Sequence, residues 1–100
     1  MDRGTILDTA KDYILKSRNE AHGNPEDNFG NIATFWTAYL RMRNPHLLLT
    51  PLADFDIGAM MVLFKIARVV PSPKNPENWI DMCGYSGCGG QCATEPHVKS

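Results

Sequence analysis

The stretch PLADFDIGAMMVLFKIARVV runs from Pro51 to Val70, and the rest of the chain is arranged around it. Between Ile57 and Val70 only Gly58, Lys65 and Arg68 are not apolar, so a helix over this stretch is hydrophobic on nearly its whole circumference. A helix of that kind belongs at the centre of a domain rather than on its surface. We therefore predict that it forms the core.

Two cations interrupt this central helix. Lys65 and Arg68 are three residues apart and share one face, which Gly58 and Met61 continue toward the start of the helix. A charge on so apolar an element costs free energy unless another group pairs with it. Either an acidic side chain of the fold or an anionic ligand must meet these cations.

Three further helices are predicted around the central one. The first runs from about Thr5 to Asn19, because Thr5-Ile-Leu-Asp8 has the form of a capping box. The second runs from Pro25 to about Arg43, with Asn24 as its N-cap. Its apolar face comprises Phe29, Ile32, Ala33, Trp36, Tyr39 and Leu40, with Thr37 elsewhere.

The last helix starts at Pro76, after the cap residue Asn75, and its end is predicted near Gly87, where glycines accumulate. Thr50 is the predicted N-cap of the central helix. The fold class is all-α: one compact bundle of about four helices over residues 1–90, with a flexible tail over residues 91–100.

Composition limits the classes of function. The chain has 100 residues, 43% of them hydrophobic and 21% charged, with a net charge of −1, as in an ordinary globular domain. A near-zero net charge argues against a general nucleic-acid binder, but not against a protein for a small anionic ligand. Because so short a chain buries a modest core, we expect a homo-oligomer that covers apolar surface around the central and last helices.

The chain shows no targeting signal that would place it outside the cytosol. Its N-terminal residues contain no apolar signal-peptide segment, and the longest apolar run, Ala59 to Phe64, is too short to span a bilayer. We therefore expect a cytosolic protein with no membrane partner. Cys83, Cys88 and Cys92 are expected to be reduced thiols rather than a disulfide framework.

A ligand pocket is predicted between the central and last helices. Asn78, Asp81 and Tyr85 share a face of the last helix that can oppose Lys65 and Arg68. Two interpretations remain open. Asp81 pairs with one of the cations as a structural salt bridge, or Lys65 and Arg68 hold phosphate oxygens.

In the second interpretation Asn78 and Asp81 bind a sugar or a base edge, and Tyr85 or Trp79 offers a stacking plane. His22 is a base-edge donor or simply a turn residue. The helix starts at Pro25 and Pro76 are potential anion sites. The candidate ligand-binding residues are Lys65, Arg68, Asn28, Asn78, Asp81, Tyr85, His22 and Trp79.

The sequence gives little support for metal-dependent or nucleophilic catalysis. Magnesium hydrolases need paired carboxylates one helical turn apart. The chain offers adjacent Glu26 and Asp27, Asp54 and Asp56 two residues apart, and the single residues Glu77 and Asp81, and none of these is an E-x-x-E pair. A zinc site of Cys88, Cys92, His97 and Cys83 lacks the C-x2-C knuckle. We predict no catalytic residue, no metal ligand and no cofactor.

Four segments carry a resemblance to a known family. They are H-G-N-P-E-D-N-F at 22–29, I-A-T-F-W-T-A-Y-L at 32–40, M-M-V-L-F-K-I-A-R at 60–68 and N-W-I-D-M-C-G-Y at 78–85. Together they resemble a family of short phage and prophage proteins of unassigned function. More distantly, the cationic helix followed by D-x-x-x-Y is similar to all-α MazG-like nucleotide pyrophosphohydrolases and to phage nucleotide-modification-associated proteins.

These resemblances imply a helical oligomer with nucleotide ligands, and the missing E-x-x-E motif favours binding over hydrolysis. The first hypothesis is a phage protein that sequesters a small nucleotide, such as a cyclic signalling nucleotide of bacterial immunity. The second is a magnesium-dependent pyrophosphohydrolase using Asp56, Asp81 and either Glu26 or Glu77. The third is a structural or interaction protein in which Lys65 and Asp81 lock the bundle.

Overall fold

The computed structural model of the protein describes residues 1–17 and 25–95. Within these ranges the chain forms four α-helices and no strand, which confirms the all-α prediction. The helices are α1 (Arg3–Asp12), extended by a π-helical turn (Tyr13–Ser17), α2 (Pro25–Arg43), α3 (Asp54–Val69) and α4 (Pro76–Thr94). No helix in the described part of the chain has the length and apolarity needed to cross a membrane.

Helix α1 begins two residues earlier than the capping-box pattern predicts. Asp2 is the N-cap, and its carboxylate accepts a hydrogen bond from the Thr5 backbone N–H at 2.8 Å. This bond lowers the pKa of the Asp2 carboxyl, because it favours the charged form. The prediction of a start at Thr5 is wrong, since the carboxylate upstream caps the helix first. Asn19, its predicted end, and Asn24, the predicted cap of the next helix, lie outside the described residues.

Helix α2 has the predicted bounds, but its inward face differs from the predicted one. Phe29, Ala33 and Thr37 are buried, whereas Tyr39 is exposed. The Thr37 hydroxyl accepts a hydrogen bond from the Leu52 backbone N–H at 2.9 Å. Thr37 is thus buried because it bonds the segment that leads into α3.

Helix α3 starts at Asp54 rather than at Pro51, and its N-cap is Ala53 rather than Thr50. The Asp56 carboxylate accepts from the Ala53 backbone N–H at 2.8 Å. The residues before Ala53 form a non-helical segment, which the bond from the Leu52 N–H to the Thr37 hydroxyl ties to α2.

Helix α4 starts as predicted, with Asn75 accepting from the Glu77 backbone N–H at 3.0 Å. It continues to Thr94, so the end predicted near Gly87 was too early and residues 91–94 belong to the helix, not to the tail. Buried Cys88, Gly89 and Cys92 explain the extension, since their packing outweighs the low helix propensity of the glycines.

Helices α2, α3 and α4 share one core. It contains Phe29 and Ala33 from α2, Ile57 from α3, and Cys88 and Cys92 from α4. Helices α3 and α4 approach most closely at two glycines, Gly58 and Gly89: a Cβ on the first would lie 2.7 Å from the Cα of the second. The absence of side chains at both positions sets this spacing.

Helix α3 takes part in this core, as its composition predicts, but it is not enclosed. Only Ile57 and Gly58 are buried along its length. Large apolar side chains on its other side remain exposed, and they include Phe55, Leu63 and Ile66. The apolar circumference of α3 thus splits into one face against α2 and α4 and another toward solvent.

Candidate functional site

Lys65 and Asp81 form an ion pair between α3 and α4. Their Nζ and Oδ2 atoms are 2.8 Å apart, and the two side chains are only 16% and 11% exposed. The fold itself therefore supplies the acidic partner of Lys65. At this depth the charges are little screened, so the pair holds the two helices together.

Arg68 lies one helical turn further along α3, and it is exposed. Its guanidinium carbon lies 5.8 Å from the centroid of the Phe64 ring, the same distance at which the Lys65 Nζ lies from that ring. No carboxylate among the described side chains lies within ion-pair distance of Arg68. Arg68 thus presents its donors toward solvent beside an aromatic face.

A groove of about 360 Å³ opens next to Arg68, where α3 ends and α4 begins. Its walls combine apolar and polar side chains, and they are Phe64, Ala67, Arg68, Pro71, Ser72, Asn75 and Asn78. A concave site with a few polar groups at its rim is the usual form of a small-molecule site. This groove is the candidate functional site.

The turn between α3 and α4 holds the polar side of the groove in place. The Ser72 N–H donates to the Val69 carbonyl at 3.1 Å, and the Asn75 N–H donates to the Ser72 carbonyl at 3.3 Å. The amide of buried Asn78 donates to the Arg68 carbonyl at 3.5 Å. The backbone that carries Arg68 is therefore tied to the first turn of α4.

The positive end of the α4 dipole also points toward this region. Asn75 is both the N-cap of α4 and a wall of the groove. The N-terminus of a 19-residue helix carries a partial positive charge that favours anions. Arg68 therefore carries the positive charge of the groove, and the N-terminus of α4 adds a partial positive charge, while the C-terminus of α3 carries the opposite partial charge nearby.

The remaining predicted site residues do not line the groove. The Trp79 indole N–H donates to the Pro73 carbonyl at 2.9 Å. The Tyr85 ring packs 6.5 Å from the Phe29 ring, centroid to centroid. Asn28 is exposed on α2, and His22 lies outside the described residues.

Five groove residues were not among the predicted ligand-binding residues. One is Asn75, which was predicted only as a helix cap, and the other four are Phe64, Ala67, Pro71 and Ser72. Of these four, the first two resemble core residues because they stand in an apolar run, and the last two belong to the segment that ends the helix. One signal pointed to Phe64, because it precedes Arg68 by one helical turn and so shares its face.

The carboxylates that the pyrophosphohydrolase hypothesis requires have different structural roles. Asp56 accepts from the Ala53 N–H, Asp81 pairs with Lys65, and Glu77 accepts from the Tyr13 hydroxyl at 3.2 Å. The Glu26 side chain lies outside the described part of the structure. Within that part, no three or more His, Cys, Asp or Glu side chains gather as a metal site.

The cysteines are part of the packing of α4. Cys88 and Cys92 are buried, Cys83 is half-buried, and no disulfide joins any of the three. His97, the other member of the zinc pattern, lies outside the described residues.

Comparisons with known proteins identify a family that matches most of the chain. The family described as "Domain of unknown function (DUF6378)" matches residues 5–93. The chain is similar to the Gene 55 protein of Mycobacterium phage D29, with 34% identity over 92 residues that cover 92% of this chain and 56% of the relative. It is also similar to the Gene 55 protein of Mycobacterium phage L5, with 35% identity over 83 residues, 83% of this chain and 49% of the relative.

The chain thus spans about half the length of the curated relatives it matches. No solved structure matches it. The more distant similarity to MazG-like pyrophosphohydrolases stays a prediction.

Proposed function

We propose that this chain, which belongs to the DUF6378 family, binds a small nucleotide without hydrolysing it. The family is one of phage proteins of unassigned function. In this proposal the protein sequesters a signalling nucleotide in the host cytosol. The observation that carries it is the exposed Arg68 on the wall of the groove.

Arg68 is the proposed phosphate ligand. Its planar guanidinium can donate two parallel hydrogen bonds to phosphate oxygens, and the adjacent α4 N-terminus favours the same charge. Of the two cations predicted to hold phosphate oxygens, Lys65 and Arg68, the proposal keeps only Arg68. Lys65, already paired with Asp81 at 2.8 Å, instead keeps α3 and α4 in register beside the groove.

The rest of the groove suits the other parts of a nucleotide. Phe64, Ala67 and Pro71 offer apolar surface for a base or a ribose, and Ser72 and Asn75 offer hydrogen-bonding groups at the rim. The volume of about 360 Å³ lies within the range of small-molecule sites, which is roughly 300–1,000 Å³. The other predicted ligand residues, Asn28, Tyr85, Trp79 and His22, are not needed for this mode of binding.

We further propose that the protein works as a homo-oligomer. Leu63 in α3 and Val70 just after it are large apolar side chains that each expose more than half of their surface. They share one side of the helix with Phe55 and Ile66, and a contiguous exposed apolar surface is typical of an interaction site.

The test is a thermal-shift screen of the purified protein with nucleoside triphosphates and cyclic oligonucleotides. A ligand at roughly 100 times its Kd should stabilise the wild type by about 2.7 kcal/mol. Arg68→Ala should weaken binding by roughly tenfold to a hundredfold, since it removes charge-assisted hydrogen bonds. Arg43→Ala, which removes an equally charged and exposed arginine at the end of α2, should respond like the wild type.

Heat denaturation of the complex then shows what was bound. Recovery of intact ligand supports the binding protein. Recovery of a magnesium-dependent product would instead support the pyrophosphohydrolase. An Arg68→Ala variant that binds as well as the wild type, or no shift with any nucleotide, would overturn the proposal.

A further inference from the structure

Helix α3 carries an apolar stripe on the side that faces away from the groove. The stripe consists of Phe55, Ala59, Leu63, Ile66 and Val70, which follow one another at helical spacings of four, four, three and four residues. All five are exposed; the four large ones expose 46%, 64%, 47% and 80% of their surface in chain order. The stripe therefore runs the full length of the helix without a partner in the described fold.

Charge is absent from the stripe. The helical period places Arg68 on the opposite side of α3, and Lys65 is paired with Asp81. Among the charged residues of α3, Asp56 comes closest to the stripe around the helix, and its carboxylate already accepts from the Ala53 N–H. A partner that covers the stripe would thus strand no charge, so the surface fits an apolar partner rather than a charged ligand.

The stripe is complementary to itself when it is reversed. Two antiparallel copies centred between Val62 and Leu63 set Phe55 opposite Val70 and Ala59 opposite Ile66, so that each large side chain meets a smaller one. A parallel arrangement would set each Phe55 on its own copy and leave a gap at Ala59. Antiparallel helices also oppose their dipoles favourably.

The area comes close to what two associating copies need. The exposed part of one stripe amounts to roughly 450–500 Å² of apolar surface, at about 90–140 Å² for each of the four large residues. When both stripes are fully covered, they bury close to the roughly 1,000 Å² that a specific interface needs. The half-buried Val62 beside the stripe adds to this area.

We infer that the α3 stripe is the self-association surface and that a second copy of this chain packs on it, antiparallel, about a two-fold axis near Leu63. The inference rests on the proposed self-association and is independent of nucleotide binding. Because the stripe and Arg68 lie on opposite sides of α3, the dimer leaves both grooves open.

The test compares two charge-introducing double variants by light scattering after gel filtration. Leu63→Glu with Ile66→Glu should convert a dimeric wild type to a monomer. Phe35→Glu with Met42→Glu is the matched control, because these α2 side chains are 74% and 86% exposed but lie outside the stripe, and it should remain dimeric. Circular dichroism checks that each variant keeps its helices.

Cysteine cross-linking tests the orientation even if the glutamate variant fails to fold. In a Cys83→Ser background with an added oxidant, Ala59→Cys with Ile66→Cys should give a covalent dimer, whereas Ala59→Cys alone should not. A covalent dimer from Ala59→Cys alone would overturn the antiparallel arrangement.

A wild type that is monomeric would overturn both this inference and the proposed self-association. A dimer that survives the stripe substitutions, or that dissociates with the α2 control instead, would overturn this surface alone.

Discussion

At the scale of single residues, the decisive contact is the one between the Lys65 ammonium and the Asp81 carboxylate. The sequence left Asp81 with two possible partners, a cation of the central helix or a ligand. At 2.8 Å and with both side chains nearly enclosed, the pair satisfies Lys65 within the fold. Arg68, three residues later in the last turn of α3, stays exposed.

We expect removal of one partner of this pair to destabilise the protein. Lys65→Met leaves the Asp81 carboxylate without its cation and should lower the free energy of unfolding by about 3 kcal/mol. Asp81→Asn should cost less, because the amide oxygen still accepts from the ammonium. Urea unfolding measures both.

The double variant Lys65→Met with Asp81→Leu is the control for this prediction. It should lose less stability than the two single losses summed, since no buried charge is left over. A Lys65→Met variant as stable as the wild type would show that the pair contributes no more than a surface salt bridge.

At the scale of the elements, the contact of α3 with α4 depends on two glycines that face each other. Gly58→Ala would place a Cβ 2.7 Å from the Gly89 Cα, which is backbone and cannot move aside alone. We expect this substitution to lower the free energy of unfolding by about 1–3 kcal/mol through overpacking.

Gly30→Ala is the matched control in α2, because a Cβ there meets no atom within 4 Å. It should raise stability by roughly 0.5–1 kcal/mol, through the better helix propensity of alanine. Thermal denaturation of both variants checks the sign of each change. Equal effects at the two glycines would mean that helix propensity, not the close approach, decides the outcome.

The same close approach explains the length of α4. Four glycines after Cys83 weaken a helix in isolation, so local propensity predicts an early end. In the fold, Gly84 and Gly89 are buried and Cys88 and Cys92 enter the core. The packing of these residues in the core therefore outweighs the low helix propensity of the glycines.

At the scale of the whole molecule, the exposed apolar side chains of α3 are the surface that an assembly would cover. Phe55, Leu63 and Ile66 each expose 46% or more of their surface. A homo-oligomer would remove this apolar surface from water.

We expect the stability of the wild type to depend on protein concentration. If unfolding is coupled to dissociation of a dimer, each tenfold rise in concentration should add about 1.4 kcal/mol per mole of dimer. Unfolding midpoints measured over a hundredfold concentration range check this. The Leu63→Glu, Ile66→Glu variant should show a midpoint that does not move, and a constant midpoint for the wild type would contradict a dimer held through α3.

Helix boundaries that depend on local signals can be predicted from the amino-acid sequence. Asn75-Pro76 and Asn44-Pro45 mark helix ends because proline and a capping amide act within one turn, and both predicted boundaries agree with the structure. The apolar period also placed Lys65 on the face of α3 that meets α4. The need for a counter-charge followed from the cost of burying an ammonium group.

Three features follow from the packing of the helices and not from local sequence: the carboxylate that pairs with Lys65, the C-terminal end of α4, and the face of α3 that remains exposed. These outcomes depend on contacts between residues far apart in the chain, such as Lys65 with Asp81 and Gly58 with Gly89. No local pattern encodes a distance between two helices. For that reason the predicted pocket of five side chains does not form as predicted. Lys65 and Asp81 form an ion pair, and of the five predicted residues only Arg68 and Asn78 line the neighbouring groove.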